Sequence, residues 1–334
     1  MKTTTKLSWR ILLILVAASS ANATITINET WLTDPGVNAK NAWAAVETYY
    51  QTAFSSSYAT ETWNITLDWK TLGGGIAQGG PRGAFTLGSD LKLQPGATTA
   101  RIHDKVYYES ALANHLANSA FVSGENMSVS FNNTTNWDYS TSSTANGTES
   151  FYATAIHEIA HGLGFISNDA GAAGGWVDDK PYVFDYYLGL GTTGTDLLIE
   201  KTTEQLAAAF VSNNVYWTGT NGNTALGSPA KIYAPSPTYQ SGSSMSHLDF
   251  SINPSLSLLM YPSDAPGLPL AYSYSALELG MWKDMGYDVV PEPATIVFLA
   301  LSGGCLLAFG AFRRRLSAFA ALRRNPSRFI PECA

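Results

Sequence analysis

The sequence predicts an α+β fold: a twisted sheet with helices in the N-terminal half, an irregular C-terminal half, and a cleft between them. Three observations carry this. Two runs alternate apolar and polar residues, as half-buried strands do. Trp63, Ile65, Leu67 and Trp69 interleave with Thr62, Asn64, Thr66 and Asp68, and Met127, Val129 and Phe131 repeat the pattern. Two longer stretches place apolar residues at helical spacing, one around residue 46 and one around residue 156. Beyond Ser167 the chain becomes rich in Gly, Asp and Ser, and its periodic segments are short.

Taken in order, residues 1–23 read as a signal peptide. Lys2, Lys6 and Arg10 precede a short apolar core from Ile11 to Ala18, and Ala21-Asn22-Ala23 is an A-x-A cleavage site. Asn38 to Phe54 reads as a helix with Trp43, Val46, Tyr50 and Phe54 on one side. The first strand follows. Leu72 to Gly83 holds six glycines and is expected to be a flexible turn near the cleft. Tyr107 to Leu116 is helix-like, with His115 expected at the surface or behind the site. His103 carries no functional expectation. After the second strand, Phe151, Ala155, Ile156, Ile159, Ala160 and Leu163 form the apolar stripe of a helix. Thr148 is its expected N-cap, and Gly162 and Gly164 end it close to His161. Ser167 to Lys180 reads as loop, Thr203 to Val211 as a short helix, and Lys231 to Ala234 as a short strand. Ser275 and Glu278 form a capping box that opens a last helix to about Met285. Asp178, Asp179 and Asp185 fit no standard calcium loop and read as a solvated acidic surface.

The helix around residue 156 carries His157-Glu158-Ile159-Ala160-His161. Positions i and i+4 share one helix face, so both imidazoles can reach one metal ion. Glu158 projects beside them and can act as general base on water. A catalytic zinc takes three protein ligands and leaves one position open. The third ligand must come from elsewhere in the chain. His247 is one candidate, Asp169 is another, and Glu200 or Glu204 would serve if a second helix completed the site.

His247 lies 86 residues after His161 and is followed by Leu258-Leu259-Met260-Tyr261-Pro262. Here the chain resembles the metzincin metalloproteases, most closely the leishmanolysin-like ones. Those carry H-E-x-x-H-x-x-G-F, a long insertion, a third histidine and a methionine turn ending in proline. His157, Glu158, His161, Gly164 and Phe165 match the first part, His247 the distant ligand, and Met260 and Pro262 the turn. Typical metzincins place the third ligand six residues after the second histidine, where this chain has Ser167. The resemblance implies a zincin-like domain over residues 24–290, with Zn²⁺ held by His157, His161 and His247 and Glu158 as the base. Met260 would form an apolar floor under the metal. The implied activity is hydrolysis of peptide bonds in protein or peptide substrates. The alternative is a non-catalytic surface or exopolysaccharide-matrix protein on the same scaffold.

The C-terminal end resembles a bacterial PEP-CTERM sorting signal over residues 291–315. Pro291, Glu292 and Pro293 precede nineteen residues without a charge, Ala294 to Phe312, and then Arg313-Arg314-Arg315. Such an apolar run suffices to span a bilayer, with the arginines and the basic tail 316–334 on the cytoplasmic side. The resemblance implies processing by an exosortase-type enzyme in a Gram-negative bacterium, with membrane attachment and then release to the cell surface. Exopolysaccharide is a further partner under this reading. From Thr24 to Val290 there are 10 Lys+Arg against 24 Asp+Glu, which argues against nucleic-acid binding. Both cysteines, Cys305 and Cys333, lie beyond that body, so it must be held by an ordinary core without a disulfide.

Overall fold

The computed structural model describes residues 24–56, 61–87, 106–253, 255–263 and 269–290. The expected signal peptide, His103, the Pro291-Glu292-Pro293 motif, the apolar run 294–312 and the tail 316–334 lie outside the described residues.

The fold is mixed α+β. Its first half runs β1 (Thr26–Trp31), α1 (Val37–Ala53), β2 (Phe54–Ser55), β3 (Thr62–Lys70), β4 (Ala77–Pro81), β5 (Ala84–Phe85), β6 (Tyr108–Glu109), α2 (Ser110–Ala117), β7 (Met127–Asn132), β8 (Trp137–Asp138), β9 (Glu149–Ser150) and α3 (Phe151–Leu163). The second half holds α4 (Val183–Tyr186), β10 (Leu188–Leu190), α5 (Thr203–Ala209), β11 (Val215–Trp217), α6 (Thr220–Leu226), α7 (Ala276–Met285) and β12 (Asp288–Val289).

One four-stranded sheet, in the order β1-β3-β7-β4, organises the first half. β3 is central and pairs parallel with β1 and β7, while β4 runs antiparallel along the edge of β7. The alternation read from the sequence is the pleat of β3: Trp63, Ile65 and Leu67 are buried, with the polar residues between them half-exposed. The α1 face of Trp43, Val46 and Tyr50 is buried, and α1 and β4 both pack on α3. Tyr50 is central. Its hydroxyl donates to the Ile156 carbonyl at 2.7 Å and lies 2.7 Å from the Tyr274 hydroxyl, tying α3 to the segment before α7. Around it Phe54, Trp63, Trp282 and Tyr287 meet edge to face.

Five expectations are corrected. The glycine-rich run bends before Ala77 and again at Arg82, and between them Ala77–Pro81 form the edge strand β4. Gly79 in it serves close approach: a Cβ there would stand 2.2 Å from the Glu158 carbonyl oxygen. The N-cap of α3 is Ser150, not Thr148, and its hydroxyl accepts from the Ala153 N–H at 3.2 Å. His115 is fully buried, with Nδ1 2.9 Å from the Glu61 carboxylate and Nε2 accepting from the Asp288 N–H. Asp178 and Asp179 are exposed as expected, but Asp185 is fully buried. It sits in the first turn of α4, where its Oδ2 accepts from Asn168 and Tyr182 N–H groups. The Lys231–Ala234 segment makes single bridges to Tyr216 and Leu248 rather than a strand.

Candidate metal centre

α3 ends where its glycines require. Gly164 adopts φ +116°, and the chain turns away at Phe165. His157 and His161 therefore stand one turn apart at the end of a short, buried helix. His247 arrives from the second half on a loop in which Met245 holds φ +70°, unusual for a residue with a side chain. The Ser167 N–H, at the position six residues after His161, donates to the Ser246 hydroxyl at 3.0 Å and docks that loop.

The three imidazoles converge. Nε2 of His157 lies 3.0 Å from Nε2 of His161 and 3.2 Å from Nε2 of His247, and the last pair is also 3.2 Å apart. Each Nδ1 faces a backbone carbonyl oxygen: Leu259 at 2.6 Å for His157, Phe165 at 2.7 Å for His161, and Ser243 at 2.8 Å for His247. A carbonyl only accepts, so each Nδ1 carries the proton and each Nε2 presents a lone pair. Burial holds all three rings neutral. It pushes His157 down and His161 far down, and His247 to about 3, with the neighbouring rings adding to the effect on the last two.

Three lone pairs facing one another with no proton between them fit a cation at their centre. Tetrahedral zinc with Zn–N near 2.05 Å would separate its nitrogens by about 3.3 Å, close to the spacing here. Among the described residues, these histidines are the only group of three metal-binding side chains whose ligand atoms lie within 4.8 Å of one another. Asp169 is not part of it: its carboxylate accepts from the Tyr239 hydroxyl and the Gly171 N–H. Glu200 and Glu204 are exposed, and Glu204 instead meets Thr202 at the start of α5.

The histidines line a cleft of about 940 Å³ together with Glu158, the residues of β4 from Ala77 to Gly79, and Leu259, Tyr261 and Pro262. Glu158 is almost wholly buried, which pushes its carboxyl up to about 8 while an N–H from Gly79 opposes the shift. Met260 is fully buried and does not line the cleft. Its backbone is held instead: the Met260 N–H donates to Glu278 Oε1 at 2.8 Å, and Glu278 Oε2 accepts from Ser275 at 2.7 Å. The capping box read from the sequence thus also anchors the segment that supplies the Leu259 carbonyl to His157. Gly79, Leu259 and this second use of Glu278 carry no signal in local sequence patterns, because each acts across a long-range contact.

No helix among the described residues is long and apolar enough to cross a membrane. No curated protein and no solved structure matches the chain. Residues 289–315 match the PEP-CTERM protein-sorting motif, which marks an exported protein, held at the membrane of a Gram-negative bacterium by its C-terminus and processed by an exosortase.

Proposed function

We propose that residues 24–290 form a zinc-dependent endopeptidase of the leishmanolysin-like metzincin type, acting on proteins or peptides outside the cytoplasmic membrane. The observation that carries this reading is the set of three inward Nε2 lone pairs that line one cleft with a buried glutamate. When bound, zinc supplies Lewis acidity for activating water and polarising a carbonyl. His157, His161 and His247 hold it, and the Leu259, Phe165 and Ser243 carbonyls fix the ring orientations. Glu158 takes the proton from the attacking water and returns it to the leaving amine. The Gly79 N–H holds that carboxylate in place, and burial favours its proton-accepting role. β4 is an edge strand that runs along the cleft, a wall suited to an extended polypeptide.

The test compares wild type with Glu158→Ala on casein and on a peptide library, with zinc content measured in both. Loss of cleavage at unchanged zinc supports the enzyme. Equal cleavage by both, or none from the wild type, favours the non-catalytic matrix protein that a sorting signal also suits.

A further inference from the structure

The chain buries a second set of metal-binding groups behind α3. Glu109 ends β6 just before α2 and Asp185 lies in α4, and both are 0% exposed. Among the described residues, both carboxyl oxygens of Glu109, Oδ1 of Asp185 and the indole N–H of Trp282 lack a well-formed hydrogen bond. Apart from the N–H groups on Asp185 Oδ2, only Glu109's own N–H and the Ser167 hydroxyl lie near the two carboxyl groups. Glu109 does not cap α2. Its carboxyl group lies against the C-terminal turn of α3, where a Cβ on Gly164 would stand 2.8 Å from Oε2. That end of a 13-residue helix is the negative end of its dipole and favours a cation. Among the described residues, the charged and phenolic groups that reach Glu109 are Asp185, Tyr182 and Tyr287, with no Lys or Arg. Lys180, close in sequence, stands over the Tyr107 ring at 5.3 Å instead.

A proton alone does not resolve this. A proton on Glu109 removes its charge but leaves the other carboxyl oxygen without a donor. A cation drawn to the two carboxylates, which act on each other electrostatically, would supply the missing positive charge and a partner for the orphan oxygens. Oxygen-only ligands select a hard ion rather than zinc, with water and backbone carbonyls filling a coordination shell of about 6–8.

We infer that Glu109, together with Asp185, holds a calcium-class cation beneath the C-terminal turn of α3. The ion would join α2, α4 and the end of α3, and so brace the Phe165 turn whose carbonyl holds His161 Nδ1. The site stands whether or not the histidines serve a protease.

The experiment uses the full-length chain with zinc present throughout. Terbium should bind with luminescence sensitised by Tyr182, Tyr287 and Trp282, and calcium should displace it. Calcium at about 100 times its Kd should raise Tm by on the order of 5 °C. Glu109→Gln and Asp185→Asn should each lose that rise, whereas His157→Ala should keep it. A wild type with neither a calcium-dependent rise nor a terbium signal overturns the site. So does an unchanged rise in the two carboxylate variants. If Glu109→Gln does not fold, Asp185→Asn and the wild-type titrations decide the matter.

Discussion

Gly79 is where the sheet touches the candidate catalytic glutamate, and a single methyl group tests that contact. A Cβ at this position would stand 2.2 Å from the carbonyl oxygen of Glu158, 2.8 Å from its carbonyl carbon and 3.0 Å from its Cα. All three are backbone atoms, so no rotamer relieves the clash. β4 must lift from α3 by roughly 1 Å to reach an ordinary contact distance. Such overpacking costs about 1–3 kcal/mol. For a domain of this size each kcal/mol lowers Tm by about 2–4 °C. The same displacement withdraws the Gly79 N–H from the Glu158 carboxylate. A misplacement near 1 Å at a catalytic group costs on the order of 100-fold in rate. Gly79→Ala should therefore melt several degrees lower and cleave casein about 100-fold more slowly, with zinc retained. Gly80→Ala is the internal control: the same chemical change, one residue on, with nothing within 4 Å of the added carbon. Thermal melts and casein digests of both variants decide the point. If the two behave alike, the close approach of β4 to α3 is wrong.

Glu278 should set part of the pH dependence of stability. Burial pushes its carboxyl from 4.5 up to about 7 in the fold, against the N–H groups of Ser275 and Met260. The folded chain thus holds this proton more tightly than the unfolded chain. The resulting stability is complete below about pH 4.5 and is lost as pH rises through about 7, a change of about 3 kcal/mol. Denaturant melts of Glu278→Gln should lack that component, and a wild-type minus variant difference that stays flat between about pH 4 and pH 8 refutes it. Protein from the native host should end near Pro291-Glu292-Pro293 by mass spectrometry, since residues 289–315 match the sorting motif. A C-terminus at Ala334 in most molecules would indicate an uncut anchor.

Local periodicity made the regular elements legible. β3, β7, α1, α3 and α7 lie where the alternation, the helical spacing and the capping box put them. What escaped were contacts that join residues far apart in sequence. The glycine run read as a turn because glycine marks turns more often than close approaches, and only the position of α3 reveals that Gly79 is needed for packing. His115 reads as surface or behind the site because nothing near it in sequence announces Glu61, 54 residues away. Asp185 read as solvated because its neighbours Asp178 and Asp179 are acidic, yet it turns inward to cap α4 while they face solvent. The histidine motif was visible because its geometry is local: one helix turn sets the distance between His157 and His161. For the third partner, residue types alone allow His247, Asp169 or two glutamates, the resemblance implies His247, and among the described residues the fold brings only His247 to the pair.

The candidate metal centre is divided between the two halves of the chain, and this predicts how it responds to loss of a ligand. α3 supplies His157 and His161, while the second half supplies His247 and the Leu259 carbonyl that orients His157. The helix itself is gripped from the second half, since the Tyr287 hydroxyl donates to the Leu163 carbonyl at 2.8 Å and Tyr274 meets Tyr50 beneath Ile156. Without a cation, the fold forces three nitrogen lone pairs to within 3.2 Å, an arrangement that opposes closure of the two halves. A bound cation reverses the sign of that term and converts metal affinity into folding stability. Loading the wild type with zinc should therefore raise Tm in one cooperative transition, with about one equivalent of metal retained. His247→Ala should retain less than about half an equivalent and lose most of the zinc-dependent rise. It should also melt close to the metal-free wild type, because removing one imidazole relieves the crowding as it removes the ligand. A zinc-dependent rise that survives in His247→Ala would show that the second half takes no part in holding the metal, and the site would reduce to the two histidines of α3.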